Sequence, residues 1–178
     1  YPNEGTVEVR LTGMANKQIA FRIPGWCKQY SLLLNSEIAS PEVLNGYAYL
    51  PVEEDDIKII LTMDMRPQWL EANGHVCECA GMVALQKGPI VYCAEAVDNG
   101  DELWSLRVDV CVEVKETFEP SLHLTALKTE GYRKTDKDSA ALYAPVGEGY
   151  EPQTIQLIPY YAFANRGESE MRVWLYKF

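Results

Sequence analysis

GMVALQKGPIVYCAE, residues 81–95, decides the fold. Val83, Leu85 and Lys87 alternate with Ala84 and Gln86, the period of two in which successive side chains of a strand point to opposite faces. Gly88-Pro89 interrupts the run, and Ile90, Val91, Tyr92 and Cys93 make a second extended segment. A strand enters, kinks and leaves. The stretch lies at mid-chain with β-like sequence on both sides, so it reads as the junction between two halves. None of its side chains suggests catalysis.

On the amino-terminal side, Val7, Val9 and Leu11 share one face while Glu8 and Arg10 share the other, the pattern of a half-buried strand. Ile19, Phe21 and Ile23 repeat it, and Pro24-Gly25 ends it. Residues 30–35 are apolar and stop at the turn-prone pair Asn35-Ser36. Tyr47, Tyr49 and Pro51 then fall on one side of a further strand. The run Glu53-Glu54-Asp55-Asp56 separates that strand from 57–65 and is expected to be a solvated hairpin tip. Residues 66–73 break the pattern and suit a short helical turn, and 75–79 resume an extended alternation.

On the carboxyl-terminal side, Asp98, Asn99, Gly100 and Asp101 concentrate turn formers within 96–102, which makes that stretch the expected domain boundary. Residues 106–114, 122–127, 154–162 and 171–176 read as strands, and the polar stretch 128–139 as a mobile loop. There is no heptad, fixed-period repeat or amphipathic helix of three turns. Many short strands with regular turn signals predict an all-β fold of two consecutive antiparallel β-sandwich domains, at 1–95 and 96–178.

The chain has 178 residues, 47% of them hydrophobic and 24% charged, a globular composition long enough for one large or two small domains. Its formal net charge of −10 excludes phosphate-backbone binding, which needs clustered Lys and Arg, and disfavours anionic lipid. Neither a nucleic acid nor a membrane is an expected partner. No apolar run approaches the roughly 20 residues that span a bilayer. The opening YPNEG lacks a starting Met and a secretory pattern, and reads as the interior of a longer protein. Five cysteines cannot all pair within the chain. Cys27, Cys93 and Cys111 lie in or beside apolar segments as small hydrophobes, and the set fits a reducing compartment better than a disulfide scaffold.

Three constellations offer chemistry. On a strand, His75, Cys77 and Cys79 would project to one face, and thiolates with imidazole suit zinc. The weightier reading makes the thiols core residues, because a fourth ligand at recognisable spacing is missing, and no metal site is assigned. The acids 53–56 provide paired carboxylates, but a glycosidase acid needs a sheltered site and a solvated tip is wet. No G-x-S-x-G elbow supports His75 or His123 as a triad base. No catalytic residue is therefore assigned. Trp26, Trp69, Trp104 and Trp174, with the pair Tyr160-Tyr161, are the candidate carbohydrate-binding residues; packing is the competing role of such side chains.

FRIPGWC (21–27), GMVALQKGPIVYCAE followed by Asp98-Asn99, and LIPYYAFANRGESEMRVWLY (157–176) together resemble the carboxyl-terminal third of glycoside hydrolase family 127, the β-L-arabinofuranosidase-like proteins. The opening YPNEG is similar to that family's Y-P-W-[DE]-G segment, with Asn3 in place of Trp. The resemblance spans essentially the whole chain. It implies an amino-terminal (α/α)6 catalytic barrel in the same bacterial polypeptide, followed by two β-sandwiches that this chain supplies. It also implies a barrel cysteine nucleophile bound to zinc and a barrel Glu as acid/base, all preceding Tyr1. No cofactor is implied for this chain itself, and Cys77, Cys79 and Cys93 match no catalytic segment. The expected function is non-catalytic support of the barrel, with carbohydrate binding through exposed aromatics as the alternative. A homodimer interface and a plant-type glycan are the further partners that fit it.

Overall fold

The computed structural model describes residues 1–135 and 149–178. They form two compact units, Tyr1–Arg66 and Pro67–Phe178.

The first unit contains β1 (Thr6–Leu11), β2 (Lys17–Arg22), β3 (Tyr30–Leu34), β4 (Glu37–Ile38), β5 (Glu42–Leu44), β6 (Tyr47–Val52) and β7 (Ile57–Met63). They build a four-stranded sheet ordered β1-β7-β3-β4 and a three-stranded sheet ordered β2-β6-β5. Leu32, Ile59 and Leu61 from one sheet and Ala48, Leu50 and Val52 from the other enter a single core, so the unit is a sandwich. Tyr47, Tyr49 and Pro51 do share a face, the one turned away from that core. Asn35-Ser36 and Asn45-Gly46 each close a two-residue hairpin, and all four residues have positive φ, as turns matched to strand twist require. The acids 53–56 are exposed as expected, but they do not cap a hairpin. β6 pairs with β2 and β5 while β7 pairs with β1 and β3, so the acidic run turns the corner between the two sheets.

The second unit contains β8 (Pro67–Glu71), β9 (Met82–Lys87), β10 (Ile90–Glu95), α1 (Ala96–Asn99), β11 (Leu106–Val108), β12 (Lys115–Glu119), β13 (Leu124–Lys134), β14 (Tyr150–Pro159), β15 (Met171–Arg172) and β16 (Leu175–Lys177). These nine strands share one sheet. Its ladder returns on itself: β9 joins β10, then β14, β13, β11 and β16, and β16 pairs back onto β9. β11 and β16 run parallel, the single such pairing among the described strands. All six members of the ring send residues inward, among them Leu85, Tyr92, Leu106, Leu127, Ile155, Leu157 and Leu175. A second, smaller cluster of Cys93, Ala126, Ile158 and Ala162 lies on the opposite face of β10, β13 and β14. Strands buried on both faces lose polar alternation, which explains the continuous apolar run from Ile90 to Ala94.

Several expectations are corrected here. Gly88-Pro89 forms a tight hairpin turn, with Ile90 opposite Lys87 and Gly88 at φ +54°, and not a junction between domains. Residues 66–73 contain β8 in place of a helical turn, and Cys77–Cys79 is a 3-10 turn in place of a strand. The turn formers at 96–102 mark α1 inside the second unit, so the expected boundary at 95/96 gives way to one at Arg66/Pro67. Residues 128–134 continue β13, whose pairing with β14 overrides their polar composition, and 136–139 lie outside the described residues.

Gly131 sits in β13 between Val108 and Gln153 on the flanking strands. A Cβ there would meet the Arg107 carbonyl oxygen at 2.3 Å and the Ile155 Cδ1 at 2.7 Å. Alanine normally suits a strand better than glycine. At this position Gly131→Ala is expected instead to lower stability by about 1–3 kcal/mol through overpacking. A urea midpoint equal to or above that of the parent chain would refute the close approach.

Candidate functional site

The densest polar constellation joins the end of β10, helix α1 and the segment that follows β14. β10 delivers Glu95, which is 1% exposed, and α1 adds Asp98 and Asn99 one turn later. Arg166 reaches back from the other segment: Nη2 donates to Glu95 Oε2 at 2.6 Å, and Nη1 and Nη2 donate to Asp98 at 2.8 and 2.5 Å. The second Glu95 oxygen accepts from the Ala164 backbone N–H at 2.9 Å. Hydrogen bonds donated to Asp98, and then to Glu95, hold the Arg166 guanidinium above its ordinary pKa against the opposing effect of burial. The two-pronged contact with Asp98 is the fork geometry that only arginine offers.

Asn99 extends the lattice inward. Its Nδ2 donates to the carbonyls of Glu95 and Gln156, each at 2.9 Å, and its Oδ1 accepts from the Gln156 N–H at 2.9 Å. α1 is thereby stitched to β14. The Asn99 carbonyl in turn accepts from Arg133 Nη2 and, at 2.9 Å, from Gln153 Nε2. Arg133 also donates to Ser105 Oγ at 2.7 Å and to the Asp101 carbonyl at 2.8 Å. Apart from Arg166 Nε, which is buried without a partner among the described residues, these groups are occupied by the fold. Glu95 and Asp98 are two carboxylates close together, but both are committed to one guanidinium, and Glu95 is sealed from substrate. The arrangement cannot protonate a leaving group or receive a nucleophilic water; what it does is hold the 160–167 loop in one shape.

The sequence-derived candidates do not assemble into a catalytic or metal centre. His75 and Cys77 are exposed, Cys79 is half-buried, and the 3-10 turn splays Cys77 and Cys79 instead of aligning them. Among the described residues no three His, Cys, Asp or Glu side chains gather closely enough to hold a metal ion. Cys93 is fully buried, and burial followed by the nearby Glu95 charge pushes its thiol up to about 12, so it stays protonated. His123 has φ +53° and lies in the turn between β12 and β13, not on a strand surface.

The four tryptophans have four different settings. Trp26 packs against the core of the first unit and stacks on Tyr1 at 6.5 Å between ring centroids. Trp69 packs on the ring core, with its Nε1 buried and without a hydrogen-bond partner among the described residues. Trp104 is 40% exposed on a 3-10 turn, Leu103–Ser105. Trp174 lines an open cleft together with Tyr160 and Arg172. Sequence reasoning missed the Glu95–Asp98–Arg166 lattice because Asp98-Asn99 carries the composition of a linker. The available signal was a buried-strand pattern running directly into an acid, a few residues ahead of a second acid.

Arg166→Ala is expected to cost about 3–5 kcal/mol, because two carboxylates lose the partner that makes their burial tolerable. Denaturant unfolding checks this, and a loss below about 1 kcal/mol, the range of a surface pair, would refute it. In the folded chain at pH 8, iodoacetamide is expected to label Cys77 and Cys111 and to leave Cys93 unmodified until the chain is denatured, as read by peptide mass spectrometry. Tyr92, 2% exposed, is likewise pushed up to about 12, chiefly by burial. Both groups are neutral in the fold, whereas in the unfolded chain they ionise from their ordinary values of 9.0 and 10.0. Stability is therefore expected to be fully present below about pH 9 and to fall as the pH rises toward 12.

Residues 67–176 match the model of the glycoside hydrolase family 127 C-terminal domain. The chain is 35% identical to a non-reducing end β-L-arabinofuranosidase of Bifidobacterium longum subsp. longum, over 98% of this chain and 29% of that protein. In structure it is similar to a GH127 β-L-arabinofuranosidase from Geobacillus stearothermophilus T6, with 33% identity and a TM-score of 0.91 over 100% of this chain and 29% of that one. A GH127 β-arabinofuranosidase matches with 27% identity and a TM-score of 0.83, over 100% of this chain and 30% of its own. The chain thus spans less than a third of the length of these relatives. Its fold, its motifs and the match over the second unit together place it: the chain belongs to glycoside hydrolase family 127 and carries that family's C-terminal domain.

Proposed function

We propose that this chain is the non-catalytic β-region of a β-L-arabinofuranosidase-like hydrolase, and that it stabilises a catalytic (α/α)6 barrel carried on the same polypeptide. The observation behind this reading is the coverage. All of the chain aligns with relatives named as β-L-arabinofuranosidases, yet it accounts for 29% of their length. The chemistry of the side chains agrees. The buried Glu95 and half-buried Asp98 carboxylates are both locked on Arg166, and the acids at 53–56 are exposed at a corner, where a proton donor is levelled by water.

In this reading the zinc and the nucleophilic cysteine belong to the barrel, and the β-region contributes rigidity. Its two separate cores and the fully bonded Asn99 lattice suit that task. The chain incubated with p-nitrophenyl β-L-arabinofuranoside and zinc is expected to release no nitrophenol above the buffer rate. Zinc-dependent turnover by the pure chain, lost on chelation, would overturn the proposal.

A further inference from the structure

The 3-10 turn Cys77–Cys79, the loop at Tyr160 and the strand end at 171–174 enclose an open cleft of about 520 Å3. Its apolar lining comes from Met82, Met171, Tyr160 and Trp174, and its polar lining from Glu78 and Arg172. The volume lies within the range of small-ligand sites. Several long charged side chains of the second unit are engaged within the fold: Lys87 with Glu116 at 2.6 Å, Lys177 with Glu71 at 2.5 Å, and Arg133 and Arg166 as above.

Among the described residues the Glu78 carboxylate, the Tyr160 hydroxyl and the Trp174 indole N–H have no hydrogen-bond partner in the protein, and Arg172 Nη1 is buried without an acceptor, its guanidinium lying 5.7 Å from the centroid of the Tyr176 ring. A buried guanidinium N–H without an acceptor is uncommon, and among the described residues Arg166 Nε is the other such arginine nitrogen. Tyr160 is 52% exposed although the loop behind it is fixed by the buried Glu95–Arg166–Asp98 lattice. Two aromatic rings are thus held in place beside unpaired donors and one carboxylate acceptor.

We propose that this cleft is a non-catalytic saccharide-binding site that takes one neutral sugar ring of an oligosaccharide. The apolar C–H face of the ring packs on Trp174 and Tyr160, and its hydroxyls bridge Glu78 as acceptor and Arg172 as donor. Sugar rings are suited to this combination because they carry an apolar face edged by hydroxyls that both donate and accept. The neighbouring positive and negative charges favour a neutral ligand over an anionic one, as does the net charge of −10. The site narrows the four tryptophan candidates to Trp174 and adds Tyr160, Arg172 and Glu78. It stands independently of whether the chain supports a barrel.

The test is calorimetric titration of the 178-residue chain with β-L-arabinofuranobiose and with linear arabinan, alongside the Tyr160→Ala and Glu78→Gln variants. Tyr160 and Glu78 are both exposed, so neither change threatens the fold, and unchanged melting temperatures verify this. Saturable heat with one of the two sugars, weakened about tenfold or more in Tyr160→Ala, is the expected result; tenfold corresponds to 1.4 kcal/mol. Absence of saturable heat with both sugars overturns the proposal. So does binding that both variants leave unchanged, which would place the sugar elsewhere. Binding by the chain that disappears when the preceding catalytic region is fused to it also overturns it, since the cleft would then be a contact between domains.

Discussion

The second unit depends on one guanidinium. Arg166 ties the end of β10 and the adjoining helix α1 to the loop after β14, reaching back 71 residues to Glu95 and 68 to Asp98. Burying Glu95 and Asp98 is unfavourable taken alone. The bidentate contact with Asp98, the shared contact with Glu95 and the Ala164 N–H make it tolerable together, and the geometry they demand is unique. An apolar substitute could match the stability of such a triad, but it would not fix the loop to one conformation with the same directional force. Ala164 and Gly167, with φ of +63° and +109°, are the backbone consequences of that constraint.

The two units solve the same packing problem differently. In the first, two small sheets face each other, and the chain passes between them at the acidic corner 53–56, where exposed charges keep the crossing in water. In the second, a single sheet curls until its ladder closes, and a minor cluster backs three of its strands. The first leaves short edge strands such as β4 and β5, two and three residues long, and short edges are poor templates for association.

The strands were legible wherever one face is wet. β1, β2 and β6 announce themselves by alternation, and the Asn35-Ser36 turn follows from side chains that tolerate positive φ. What the sequence hid was pairing. Nothing local distinguishes β6–β7 as a corner from a hairpin, because partner choice lies in β1, β2, β3 and β5, far along the chain. β8, with its proline at the first position, and the polar end of β13 were obscured for a related reason: their extended form comes from neighbouring strands and not from their own composition. The candidate site was legible only in part. Trp174 and Tyr160 could be named as aromatic, but their grouping with Glu78 and Arg172 requires β15 and the 3-10 turn to be brought to the same side of the unit. The family resemblance rested on motifs such as ANRG and Asp98-Asn99, and the structure supplies the physical reason those residues occur together.

The closed ladder has a consequence for how the protein is made. β9, at residues 82–87, completes one edge only when β16, at 175–177, pairs with it, and β11 waits for the same strand on its parallel side. Loop closure over nearly the whole unit must precede that pairing, which places the step late and makes it slow. On the ribosome the ring therefore stays open until β16 has left the exit tunnel, with only the β16-facing sides of β9 and β11 unpaired in the meantime. Shielding nascent β9, whose flank is the Gly88-Pro89 hairpin, becomes a task for β8 and β10, the two neighbours that emerge soonest around it.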